Sequence, residues 1–119
     1  MILSLFHLFI ALPLILYVAL QRAATPNWLY STLLIVGCFI ILFHGYKFFI
    51  RYTTGSSYAW VNAIHFLLIG PLLLMIGKQG RETPRMYYEL VLLVAFAGVG
   101  YHLFSLVRLM DVHNDSHMQ

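Results

Sequence analysis

Four long apolar runs, Ile2–Leu20, Trp28–Phe49, Ala59–Ile76 and Met86–Met110, fix most of what this chain can become. A helix rises ~1.5 Å per residue and the hydrocarbon core of a bilayer is ~30 Å thick, so roughly 20 apolar residues make one crossing. Inside hydrocarbon no water satisfies the backbone amides, and runs of this length satisfy their own only as helices. The joints Gln21–Asn27, Ile50–Tyr58 and Gly77–Arg85 are short and polar, and Asp111–Gln119 forms a polar C-terminal tail. Composition agrees: 61% of residues are hydrophobic and 9% charged, too few charges to cover a soluble domain of this size. The expected fold is all-α, an integral membrane four-helix bundle running up-down-up-down, with residues 1–110 as a single multi-pass transmembrane domain.

Charge narrows the function classes further. The net charge of +3 is seven basic residues less four acidic ones, and the basic residues, Arg22, Lys47, Arg51, Lys78, Arg81, Arg85 and Arg108, flank the spans and form no patch. That placement suits helix ends meeting water, so the expected partner is the lipid bilayer and not nucleic acid. Three basic residues fall on the side of the chain ends and four on the other, a difference too small to orient the bundle. Cys38 is the sole cysteine and lies mid-run, which rules out an internal disulfide framework. No basic segment precedes the apolar stretch of the first run, so it is expected to stay as a helix of the fold, not to serve as a signal peptide.

Sliding the chain along itself by 58 residues brings out an internal repeat. His7 falls on His65, Pro13 on Pro71, Gln21 on Gln79, Thr25 on Thr83, Pro26 on Pro84, Tyr30 on Tyr88 and His44 on His102. Leucine matches at the same offset carry little weight in so leucine-rich a chain, but polar and proline matches are scarce enough to count. The expectation is two tandem helical-hairpin repeats, residues 1–52 and 59–110, related by a pseudo-twofold axis along the membrane normal. Within each, Thr25-Pro26 and Thr83-Pro84 read as an N-cap followed by proline at the first helical position. Pro13 and Pro71, inside the odd-numbered helices, are expected to kink them or loosen their hydrogen-bond ladder.

The repeat also orders the histidines. His7 lies about five residues into the first helix and His44 about five residues before the end of the second; His65 and His102 repeat this in the second copy. Antiparallel neighbours place all four near one depth, roughly 7–8 Å inside the hydrocarbon edge on the side of the termini. Tyr30, Gly37 and His44 recur every seven residues on one face, as do Tyr88, Ala95 and His102, and small residues there permit close helix approach. Ser4 and Asn62 precede His7 and His65 by three residues and extend the polar face inward. A histidine near an interface is often only a hydrogen-bonding residue, and duplication copies idle residues as faithfully as working ones. Two chemistries nevertheless suit an inward layer of imidazoles. One is ligation of a transition metal ion, or of haem b clasped by an opposite pair with Gly37, Gly45, Gly98 and Gly100 giving the ring room. The other is proton relay or gating, as in a proton or small-ion channel of viroporin-like kind. Lys47, one turn beyond His44, would repel a metal cation and is expected to snorkel outward.

The remaining polar residues point less sharply. Glu89 reads as a favourable charge in a first helical turn or as a proton acceptor. Tyr30, Tyr87, Tyr88, Trp28 and Trp60 fit an aromatic belt. Asp111, His113, Asp115 and His117 read as a solvated tail. No nucleotide loop, nucleophile–base pair or carboxylate pair is present, so no enzyme is expected. The segments HLFIALPLIL (7–16), HFLLIGPLLL (65–74) and TPRMYYELVLLVAFAGVGYHLFSLV (83–107) resemble small four-helix transmembrane proteins of large DNA viruses. That resemblance implies a component of a virion or host membrane, or a pore. Three readings therefore stand after the sequence: a metal- or haem-binding membrane protein, a proton or small-ion channel, and a structural or assembly component without a chemical site. A homo-oligomer is compatible with each.

Overall fold

The computed structural model describes the backbone of residues 1–117 and the side chains of residues 1–111. Its described residues are helical apart from short turns, and four helices are long and apolar enough to cross a membrane: Ile2–Ala24, Asn27–Thr53, Ala59–Glu82 and Arg85–Asp111. The fourth continues as helix to His117, past the Met110 limit expected from hydropathy. Of the acid and imidazole alternation in the tail, all but Asp111 lies outside the described side chains.

Proline shapes the odd-numbered helices. Each contains one π-helical turn, His7–Ala11 in the first and His65–Ile69 in the third, ending just before Pro13 and Pro71. A proline ring clashes with the carbonyl four residues back and leaves it without a donor. The wider turn relieves this, and its defining bonds run from the Leu12 N–H to the His7 carbonyl and from the Gly70 N–H to the His65 carbonyl. After ten further helical residues each helix tightens into a 3₁₀ turn, Arg22–Ala24 or Gly80–Glu82. Arg22 and Gly80 adopt the same positive φ, 52° and 57°. Glycine takes that conformation freely, whereas arginine bears a cost on the order of 1–3 kcal/mol.

The even-numbered helices begin one residue later than the threonine–proline pairs suggest. Pro26 itself holds the cap position with extended ψ (142°), and the helix starts at Asn27. Thr25 and Thr83 therefore do not cap. Thr83 instead donates to the Gly80 carbonyl at 2.6 Å, closing the preceding turn.

Packing couples the helices across the two segments rather than within them. The broadest contact joins the second helix to the third, the next the first to the fourth, while the first and second scarcely touch. Without a hydrophobic drive between helices in lipid, such contacts depend on close approach. A Cβ on Gly37 would sit 2.7 Å from the Leu74 amide nitrogen, and one on Gly77 would collide with the backbone of Leu34 and Tyr30. The backbones of the second and third helices thus touch directly. At the first–fourth contact the 58-residue counterparts of these glycines are Ala95 and Ala19, both buried. One large–small pair is also exchanged between the contacts: Ile40 packs on Gly70 in one, Leu12 on Gly98 in the other. The middle of the molecule is apolar and closed, with Leu33, Ile76 and Ala95 fully buried beside Val18 and Val91.

Candidate functional site

Polar side chains gather at the two ends of this apolar middle. At the end formed by the 22–26 and 80–84 turns, the Tyr30 hydroxyl donates to the Arg22 carbonyl at 2.8 Å and lies 3.0 Å from the Tyr88 hydroxyl. Tyr88 also reaches the Gly80 carbonyl at 3.3 Å. Both tyrosines are buried, so they leave the aromatic belt and tie the two turns together. Glu89 takes no part: it pairs with Arg85 at 2.6 Å on the exposed surface, far along the fourth helix from His102. A surface pair of this kind contributes little to stability.

The other end holds the four histidines. His7 stacks on His102 with ring centroids 4.4 Å apart, and His44 stacks on His65 at 4.3 Å. His7 and His65 then meet edge to face at 6.2 Å, so the rings form one unbroken row: His102, His7, His65, His44. Every helix contributes one ring.

Hydrogen bonds set the tautomers. Nδ1 of His7 lies 2.8 Å from the Leu3 carbonyl, and Nδ1 of His65 lies 2.6 Å from the Val61 carbonyl, each four residues back. A carbonyl only accepts, so each Nδ1 carries the proton and the free lone pair is at Nε2. His44 Nδ1 lies 3.1 Å from Oδ1 of Asn62, whose amide nitrogen is oriented by the Tyr58 carbonyl at 3.4 Å. His102 departs from this pattern. Its ring is buried, and its Nδ1 has no partner among the described residues. The position that corresponds to Asn62 in the first segment is Ser4, whose side chain is too short to repeat the contact.

His7, His65 and His102 border a cavity of about 290 Å³, lined also by Ser4, Arg51 and Ser105 among others. Arg51 and Ser105 were not expected at the site, because nothing in their spacing separates them from ordinary helix-end residues. Lys47 does not line the cavity; its Nζ lies over the Phe43 ring, 6.0 Å from the centroid. Gly37 and Gly98 are filled against Leu74 and Leu12, and so offer no slot beside the histidines. Among the described residues no group of three or more His, Cys, Asp or Glu side chains is placed to share a metal ion. Stacked rings show each other their faces, whereas ligation needs nitrogen lone pairs in the ring planes converging on one point.

No protein-family model, no curated protein and no solved structure matches the chain. The resemblance to viral four-helix proteins therefore rests on the quoted segments alone.

Proposed function

We propose that this is a multi-pass integral membrane protein whose histidine row binds protons from the side of the chain termini and gates a proton or small-ion pathway. The observation that carries the reading is the row of four imidazoles, one from each helix, as two stacked pairs that meet edge to face, with three of the rings lining a cavity. Histidine changes charge between about pH 5 and 8. One charged ring can stay stacked on a neutral one, but a second proton meets strong repulsion: two unit charges ~4 Å apart repel by about 4 kcal/mol at an effective dielectric of ~20. Full protonation thus drives each stack apart. Because the stacks join the first helix to the fourth and the third to the second, it also loosens that end of the bundle. The apolar middle, closed by Leu33, Ile76 and Ala95, represents the resting state in this account.

The same reading takes the bundle as two tandem copies, up-down-up-down, around a pseudo-twofold axis. Support comes from residues 58 apart that meet one another, Tyr30 with Tyr88 at one end and His7 with His65 at the other, as partners straddling a twofold must. The π and 3₁₀ turns and the start of the even-numbered helices also recur at that spacing.

One observation favours a second reading, a bound transition metal ion. Nδ1 donation to Leu3, Val61 and Asn62 leaves Nε2 free in three rings, which is how ligating histidines are usually oriented. The rings would have to unstack for three nitrogens to converge. A haem fits less well, since pockets for ligands of drug size or above run about 300–1,000 Å³ and this cavity is about 290 Å³.

Proton entry into liposomes, driven by a potassium gradient and valinomycin, tests the proposal. We expect flux that rises as the medium on the terminus side is acidified through the histidine range, and that is lost in a His44→Ala/His102→Ala variant. Flux no greater than in empty liposomes at every pH rejects it. Elemental analysis of the purified protein then distinguishes the metal reading from a purely structural role.

A further inference from the structure

The third and fourth helices part at the end where the histidines lie. Their main contact there is the Trp60 ring against the Tyr101 ring, edge to face at 5.9 Å. A second cavity of about 490 Å³ fills this gap, lined by Trp60, Phe104 and Arg108, and it shares Tyr58, Tyr101 and Ser105 with the cavity beside the histidines. The two therefore lie side by side, one between Trp60 and Arg108 and the other against the His102 ring. Aromatic rings and Arg108 line the outer cavity, Arg51 and the imidazoles line the one beside the histidines, and Tyr58, Tyr101 and Ser105 line both. No described acidic residue lines either cavity, so the two arginines set the charge.

We propose that this window holds one anionic phospholipid, its phosphate between Arg51 and Arg108 and its glycerol and upper acyl chains along Trp60 and Phe104. Both arginines stand near helix ends, the level of lipid phosphates, and basic pockets between transmembrane helices suit such head groups. The window is not repeated in the other half of the bundle. At a spacing of 58 residues, Trp60, Tyr101, Ser105 and Arg108 correspond to Ile2, Phe43, Lys47 and Ile50. There the small serine gives way to a long lysine, and the outer arginine and the tryptophan are absent.

Native mass spectrometry of the protein released from nanodiscs of mixed phosphatidylglycerol and phosphatidylcholine tests the site. One phosphatidylglycerol should be retained in preference to phosphatidylcholine. Arg51→Gln and Arg108→Gln should each weaken that preference about fivefold, while Arg22→Gln, at the other end of the bundle, leaves it unchanged. A measurement that keeps the site intact uses Trp28→Phe protein, in which Trp60 is the sole tryptophan. Brominated phosphatidylglycerol should quench its emission more than brominated phosphatidylcholine does. Equal retention and equal quenching by the two lipids overturn the proposal. So does displacement of the retained lipid by millimolar inorganic phosphate, which would make this a site for the free anion.

Discussion

At the scale of single residues, the site turns on small differences between positions 58 apart. Asn62 holds the His44 ring through Nδ1, whereas Ser4 leaves His102 Nδ1 without a partner. Breaking the first contact and supplying the second should have opposite signs. Asn62→Ala should cost about 1–2 kcal/mol, and Ser4→Asn should return about 1 kcal/mol by giving His102 an acceptor. Reversible unfolding in mixed detergent reads both. If Ser4→Asn destabilises as much as Asn62→Ala, the asymmetry described for the two rings is not what governs this end of the bundle. The histidines themselves were legible in the sequence, because the repeat placed them in one register. The Ser4/Asn62 difference was not, since both residues simply read as polar. The cavity role of Arg51 was equally hidden, as a helix-end arginine faces water in most membrane proteins.

At the scale of elements, the four spans could be read from hydropathy because lipid leaves a long apolar run no alternative to a helix. The prolines announced a disturbance of the odd-numbered helices. That it takes the form of a π turn beginning at each histidine depends on backbone relief no spacing rule encodes. Pairing of the helices was hidden for a related reason. Short joints suggest that neighbours in sequence pack together; backbone contact at Gly37 and Gly77 does bind the second helix to the third, yet the first meets the fourth and scarcely touches the second. Gly77→Ala tests that contact against local preference. Alanine is the better helix former by roughly 1 kcal/mol, so an unconstrained site would gain stability. Here the new Cβ meets the backbone of Leu34 and Tyr30, which cannot swing aside. We expect a net loss of about 1–2 kcal/mol in the same unfolding assay. A gain would show that the two helices do not approach this closely.

At the scale of the whole molecule, two polar ends enclose an apolar middle, and they do different work. Tyr30 and Tyr88 tie the turns together at one end. The histidine end is held by stacked neutral rings, which repel once both are charged. In the proposed gate, the bundle is fixed at one end and loosened by protons at the other. Solid-state NMR of ¹⁵N-histidine-labelled protein in bilayers tests this most directly. It reports both the contacts between rings and the protonation of each nitrogen. Near pH 8 the account predicts neutral rings with the proton on Nδ1 for His7, His65 and His44, and close contacts for the His7–His102 and His44–His65 pairs. On acidification toward about pH 4 it predicts imidazolium signals from one ring of each pair first, then from the second with loss of those contacts. Rings that remain neutral and stacked throughout that range would contradict it.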